Sequence, residues 1–309
     1  MWAAMHDAGR GVRGVEEPEL PPNLFVISLL HDLQVGNYSR RAWGVFVRDS
    51  WRRSWQTLME NPGLRRSWLR FTTAGTIGIL VAGGVCARLV APSETVLFLA
   101  TSLLWWAVLM ADLGLHLGLM VNLESGELRR TIGVPNMLTE LRAFGSIWVA
   151  WGAHWLTEGM PIPLVFVFGV AAVTDLLDGW IARRAHVSTR WGRLYDPFMD
   201  GIFFGVAAIS LAVIGVLPQW IAALVVFRYA LPVVGAIAFL FMRRRTPRIR
   251  HTPWGRASSA SIAATIFLAG AAAGLGLPFD RLGPILYAIV VVAAVGALLN
   301  ILMRGIEQV

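Results

Sequence analysis

Eight long apolar stretches, at about residues 71–91, 95–121, 138–156, 162–182, 197–215, 219–242, 258–274 and 281–303, constrain this chain more than any other feature. A helix needs roughly 20 apolar residues to cross the hydrocarbon layer of a bilayer, and each stretch is near or above that length. The 309 residues are 56% hydrophobic with a mean hydropathy of +0.60, where soluble domains average roughly 45–50% apolar. Water is therefore not the main solvent, and the expected class is an all-α integral membrane protein of about eight helices.

Charge sets the orientation. Arginines gather at Arg65, Arg66 and Arg70, at Arg129 and Arg130, at Arg183, Arg184, Arg190 and Arg193, at Arg243 to Arg256, and at Arg304. The connections on the other side hold only Glu94, Glu158, Asp280 and Arg281. Positive residues stay on the cytoplasmic side, which puts both termini there. The net charge of +8 is explained by this asymmetry and calls for no nucleic acid partner. All 27 basic residues are Arg, so lysine-dependent chemistry is excluded, and the lone Cys86 excludes an intrachain disulfide.

Residues 1–70 read as a cytoplasmic segment without a cleavable signal, its first 22 residues disordered. Within 43–59, Trp43, Phe46, Trp51, Trp55 and Leu58 alternate with Arg48, Arg52 and Arg53. That pattern suits a helix lying on an anionic leaflet or a small cap packed on the bundle. The expected division is 1–70, an accessory two-helix region over 71–130, and a catalytic six-helix domain over 131–309.

Four aspartates, Asp175, Asp178, Asp196 and Asp200, fall within otherwise apolar sequence. One ionised Asp at the centre of a membrane helix costs roughly 3 kcal/mol, so four together imply bound cations and chemistry. Asp175 and Asp178 are i,i+3 and Asp196 and Asp200 are i,i+4, so each pair shares a helical face. Hard carboxylate oxygens favour Mg²⁺, Mn²⁺ or Ca²⁺ over zinc. Gly179, Ala182 and Gly192 leave room beside them for a flat or bulky ligand. The competing structural explanation is a set of salt bridges to nearby arginines, which would not call for the small residues.

The run D-L-L-D-G-W-I-A-R, eight residues, G-R-L-Y-D-P-F-M-D resembles the signature of the CDP-alcohol phosphotransferases, with every fixed position occupied from Asp175 to Asp200. The resemblance implies the family's six-helix catalytic unit over roughly 131–305, preceded here by two extra helices. It implies a two-metal site of Mg²⁺ or Mn²⁺ on the four aspartates and Asp200 as general base. It places Asp178, Gly179, Ala182, Arg183 and Gly192 around the nucleotide and diphosphate. Val134-Pro135-Asn136-Met-Leu-Thr139-Glu-Leu-Arg142 is similar to the family's entry to its first helix, where Asn136 and Thr139 would border the nucleotide. Those two and Arg142 lie at i, i+3 and i+6 on one side of a helix that Pro135 can start.

The implied reaction is phospholipid biosynthesis: transfer of a phosphatidyl group from CDP-diacylglycerol to a small polar alcohol, with release of CMP. Ser188-Thr189-Arg190-Trp191-Gly192 and Asp196-Pro197 look like the phosphatidylglycerophosphate synthase branch, which implies glycerol 3-phosphate as acceptor. Gly201 departs from the Lys usual there. Inositol phosphate or serine as acceptor, or a CDP-aminoalcohol donor with diacylglycerol, belongs to the same signature. Arg193, Arg228 and Arg256 are candidates to hold an anionic acceptor through bidentate phosphate contacts. Arg228 could instead pair with an aspartate of the bundle, and Arg256 could be a topology anchor. A transporter of divalent ions or organic anions is the non-enzyme alternative, though the chain shows no internal repeat. Residues 1–130 could also be a docking module on an enzyme that works without it. Asp112 and His116, i,i+4 in the second span, suit interhelical hydrogen bonding. Trp68, Trp155, Trp180, Trp220 and Trp254, near span ends, read as an aromatic belt. Gly and Ala richness over 257–276 permits close packing within the bundle or across a homodimer, which the resemblance favours.

Overall fold

The computed structural model describes residues 22–122, 125–185, 189–243 and 253–307; side chains are not described for 22–27, 175–185, 194, 236–243, 301–302 and 304–307. Ten α-helices and one 3-10 turn make up these residues, with two isolated β-bridges and no β-strand among them. The helices are α1 (Pro22–Val35), α2 (Arg40–Glu60), α3 (Pro62–Leu89), α4 (Pro92–Leu115), α5 (Val134–Thr157), α6 (Ile162–Ala185), α7 (Arg190–Val213), α8 (Gln219–Arg243), α9 (Pro253–Leu275) and α10 (Gly283–Glu307). The 3-10 turn, Leu117–Leu119, follows α4.

The chain forms two compact units, residues 1–50 and 51–309. In the first, α1 turns into the start of α2 through Asn37 and Tyr38, both in the left-handed region (φ 54° and 53°). Leu29 and Leu33 are buried there, lining a cavity with Ala42, Val45 and Phe46. The first 21 residues, expected to be disordered, lie outside the described residues.

In the second unit each of the eight predicted spans contains a helix, although the one expected over 95–121 ends at Leu115 and gives way to the 3-10 turn. Among the described residues, five helices are long and apolar enough to cross a bilayer: Pro62–Leu89, Pro92–Leu115, Tyr195–Val213, Pro253–Leu275 and Gly283–Asn300. Ile162–Thr174 and Gln219–Gly235 are shorter apolar helices among the described residues. The protein is an integral membrane protein. Its outward faces are apolar, as lipid requires: Val81, Val85, Leu97, Leu104, Val213 and Val292 are all exposed.

Helix starts follow local chemistry more than hydropathy. Proline occupies the first turn of α3, α4 and α5, where its missing N–H costs nothing. α3 consequently begins at Pro62, nine residues before the apolar stretch opens at 71. α7 begins at Arg190 because Thr189 caps it, its hydroxyl accepting from the Gly192 N–H at 3.0 Å. The apolar stretch there starts only at 197, after Asp196.

Two large cores and a smaller cluster of Cys86, Phe98 and Trp155 lie within the second unit. The inner core joins α5 to α9 through Val149, Leu164, Phe168, Phe203, Phe204, Ala207, Ala208 and Ile266. Small residues let backbones close up, as at Gly152, where a Cβ would lie 2.9 Å from the Leu164 Cα. The second core joins α3, α4 and the 3-10 turn to α5 and α7: Leu64, Ile79, Trp106, Leu113, Leu117 and Met120 pack with Phe144, Trp191 and Met199.

The tryptophans are distributed differently from the belt expected at the span ends. Trp155 is 6% exposed and donates to Glu94 at 3.2 Å; Trp68 donates to the Met110 carbonyl at 3.0 Å. Both are interhelical ties. With Trp105 to the Ala143 carbonyl, Trp148 to Ser102 and Trp151 to Thr101, four indole bonds stitch α4 to α5. Trp220 and Trp254 are about half exposed, as belt residues are. The Trp180 side chain is outside the described set.

Candidate active site

α7 presents Gly192, Asp196 and Asp200 at i, i+4 and i+8 on one face, and α5 lies against that face. Three residues of α5 meet it in register. Asn136 reaches the α7 cap, its Oδ1 accepting from the Thr189 hydroxyl at 3.1 Å. Thr139 donates to Asp196 Oδ1 at 3.0 Å. The Arg142 guanidinium forms an ion pair with Asp200. Asn136, Thr139 and Arg142 are buried, whereas the Asp196 side chain is exposed and that of Asp200 is 26% exposed.

The α5 trio thus forms a polar floor beneath two carboxylates that stay accessible. Asn136 is anchored in turn, donating to the Ile132 carbonyl at 2.8 Å and to the Met120 sulfur at 3.2 Å. Gly192 has a steric requirement. A Cβ there would meet Asn136 Oδ1 at 3.0 Å, Thr189 Oγ1 at 3.3 Å and Asp196 Oδ2 at 3.7 Å. A side chain would press on the floor and on the first carboxylate together.

α6 carries Asp175, Asp178, Gly179, Ala182 and Arg183 on its last three turns, with the two aspartates on one helical face. Their side chains lie outside the described set, as do the whole of His186 and Ser188. The described residues alone form no group of three His, Cys, Asp or Glu side chains able to hold a metal. Asp196 and Asp200 nonetheless suit a hard divalent cation. They are oxygen donors one turn apart, at an accessible position, and each is oriented by a bond from α5.

The three acceptor candidates separate. Arg228 is 8% exposed; its Nε donates to Ser258 Oγ at 3.2 Å and its Nη2 to the Gly255 carbonyl at 3.4 Å, and it lies 5.7 Å from the Tyr229 ring centre. Among the described residues its partners are neutral; the side chains of Asp175 and Asp178 lie outside that set. Arg193 and Arg256 are exposed. Gly201, where lysine was the usual residue, allows α8 to approach, since a Cβ there would lie 3.1 Å from the Tyr229 Cβ.

Sequence reasoning missed the tie between Asp112 and Tyr195. The Asp112 carboxylate lies 3.2 Å from His116 Nδ1 and within electrostatic and hydrogen-bonding reach of the Tyr195 hydroxyl. Glu140, fully buried on α5, lies nearby, close enough to feel the Asp112 charge.

Residues 132–302, more than half of the chain, match the family profile described as CDP-alcohol phosphatidyltransferase, and the chain belongs to this family. Among curated proteins it is similar to the "Probable cardiolipin synthase (CMP-forming)" of Drosophila melanogaster, 36% identical over 96 residues, 31% of this chain and 29% of that protein. A "Probable phosphatidylglycerophosphate synthase" of Mycobacterium tuberculosis is 37% identical over 62 residues, 20% of this chain and 30% of that protein. The CDP-diacylglycerol–glycerol-3-phosphate 3-phosphatidyltransferase of Escherichia coli is 43% identical over 49 residues, 16% of this chain and 27% of that protein. The chain therefore spans only about three tenths of the length of these relatives. No solved structure gives a significant match.

Proposed function

We propose that the protein transfers a phosphatidyl group from CDP-diacylglycerol to a small polar alcohol and releases CMP, with glycerol 3-phosphate as the acceptor. The observation that carries this reading is the α5–α7 pairing: Thr139 and Arg142 orient Asp196 and Asp200, the last two aspartates of a fully occupied family signature. The similarity to a phosphatidylglycerophosphate synthase and to the glycerol-3-phosphate enzyme supports the acceptor.

Asp175, Asp178, Asp196 and Asp200 are the residues that would hold Mg²⁺ or Mn²⁺. A cation bound there supplies neutralisation of the diphosphate charge and makes CMP a better leaving group. Asp200 takes the proton from the acceptor hydroxyl. The oxygen then bonds to the β-phosphorus, the bond to the CMP oxygen breaks, and CMP departs with the electron pair. Arg142 holds the Asp200 carboxylate in one orientation beneath the reaction. Gly179, Ala182, Arg183 and Gly192 border the nucleotide and diphosphate, and Asn136 and Thr139 act from below.

Arg228 is the best placed of the three arginines for the acceptor. A guanidinium whose described partners are neutral, buried in a membrane bundle, is stabilised by an anion, and glycerol 3-phosphate brings one. Arg193 and Arg256 would make outer contacts. A second reading, with a lipid alcohol as acceptor and cardiolipin as product, is favoured by the similarity to a cardiolipin synthase; such an acceptor also carries a phosphate.

In the same proposal, residues 131–309 are the catalytic domain, 71–130 the accessory region and 1–70 the cytoplasmic segment. Eight helices span the bilayer, the termini and the site face the cytoplasm, and the protein is a homodimer. The test is CMP release by purified protein with Mg²⁺ or Mn²⁺ and CDP-diacylglycerol. The acceptors are glycerol 3-phosphate, inositol 1-phosphate, serine and phosphatidylglycerol, against no acceptor. Stimulation by glycerol 3-phosphate alone is expected; silence with every acceptor would overturn the reading.

A further inference from the structure

The accessory region reaches the catalytic helices at several places, on α7 and on the α5 floor beneath it. The Arg190 N–H, at the start of α7, donates to the Val121 carbonyl at 2.9 Å, and Asn122 bridges Thr189, the α7 cap. Met120, fully buried, receives the Asn136 amide. Asp112 of α4 lies within hydrogen-bonding reach of the hydroxyl of Tyr195, the residue before Asp196, and the ring of His116, one turn on from Asp112, is 5.3 Å from the Tyr195 ring. Tyr195 stacks on Trp191 (centroids 4.8 Å apart, 12° between planes), and Trp191 is fully buried beside Leu113, Leu117 and Met120.

Trp191 and Tyr195 form an i,i+4 stripe on α7, and Gly192 and Asp196 form the adjoining stripe, about 100° around the axis. Whatever fixes the rotation of the first stripe fixes the direction of the second. We propose that Asp112, with the Leu117–Asn122 segment that follows it, is a positioning element of the active site, setting the rotation of the α7 turn that bears Asp196. This rests on the reading of α7 as the catalytic helix. The accessory helices are then a built-in wall of the site rather than a docking module on an enzyme complete without them. Reacting groups displaced by about 1 Å lose on the order of 10²-fold in rate, so a single hydrogen bond at this place has leverage.

The test compares full-length Asp112→Asn, Asp112→Leu and Tyr195→Phe, and the Asp112→Leu/Tyr195→Phe double variant, on protein shown monodisperse by size exclusion. Asn keeps an acceptor for the tyrosine while removing the charge beside Glu140, which isolates the hydrogen bond from electrostatics. CDP binding in Mn²⁺, measured by calorimetry, reads the site without turnover, and CMP release reads kcat. Asp112→Leu and Tyr195→Phe are each expected to weaken CDP binding and lower kcat about tenfold, the double variant no further than either, and Asp112→Asn less than about twofold. Full CDP affinity and kcat in folded Tyr195→Phe would overturn the proposal even if Asp112→Leu failed to fold. So would additive losses in the double variant. A wild-type protein that binds no CDP would overturn the functional reading and this inference together, whereas wild-type binding with unaffected variants would sink the inference alone.

Discussion

The inner core between α5 and α9 and the seam between α4 and α5 are both helix contacts inside a membrane protein, yet they are built from different materials. The inner core is aliphatic and aromatic with small residues between, Ala207, Ala208 and Ala269 among Phe168, Phe203, Phe204, Leu164 and Ile266, and Gly152 lets two backbones nearly touch. The seam is tryptophan, with four indole N–H groups each bonded to an oxygen on the facing helix. Lipid tails are as apolar as leucine, so apolar burial does not drive helices together; close packing and directed hydrogen bonds do. Close packing dominates between α5 and α9, whereas directed hydrogen bonds join α4 to α5. The proposed active site lies where both meet, on α7, between the polar floor of α5 on one side and Trp191, with the proposed Asp112 brace, on the other.

The sharpest way to break this comparison is at the floor itself. Asp200→Asn removes the proposed base, and CMP release is expected to fall at least about 10²-fold while the protein elutes as wild type on size exclusion. Full activity would remove Asp200 from that role. Arg142→Ala leaves Asp200 without its ion pair, and kcat is expected to drop about tenfold to a hundredfold. Arg142→Lys should recover only part of it, because an ammonium lacks the guanidinium's planar fork.

Arg228→Ala is expected to raise the KM for a phosphorylated acceptor roughly tenfold, the scale of one charged hydrogen bond, with a smaller rise for exposed Arg256→Ala. Steady-state kinetics on both variants with glycerol 3-phosphate decides it; equal effects would remove the distinction drawn from burial. The smallest effect belongs to the seam. Trp148→Phe loses one interhelical hydrogen bond, worth about 0.6 kcal/mol in membrane proteins, and is expected to lower thermal stability slightly with kcat unchanged. A large activity loss there would show that the seam and the floor are one device.

How much of this was legible beforehand depended on whether a relation was local. The pairs Asp175/Asp178 and Asp196/Asp200 share a face by spacing alone, and the Asn136, Thr139 and Arg142 side of α5 is readable at i, i+3 and i+6. That this side lands on Asp196, Asp200 and the α7 cap is a relation across more than fifty residues, which no periodicity carries. The Asp112–Tyr195 tie was hidden for the same reason. Tryptophan misled because an interfacial indole and an interhelical one look alike in sequence: both are amphipathic groups near helix ends, and only the facing Glu94 or Met110 carbonyl tells Trp155 and Trp68 from belt residues. The starts of α3 and α7 were displaced because hydropathy ignores caps, and Pro62 and Thr189 decide them.

Parallel CMP-release assays on wild type and Asp200→Asn test the central claim most directly, in Mg²⁺ with CDP-diacylglycerol and glycerol 3-phosphate. Acceptor-dependent release by the wild type, abolished in a variant that remains folded, is the result predicted from the α5–α7 geometry. Equal release by both proteins would contradict it.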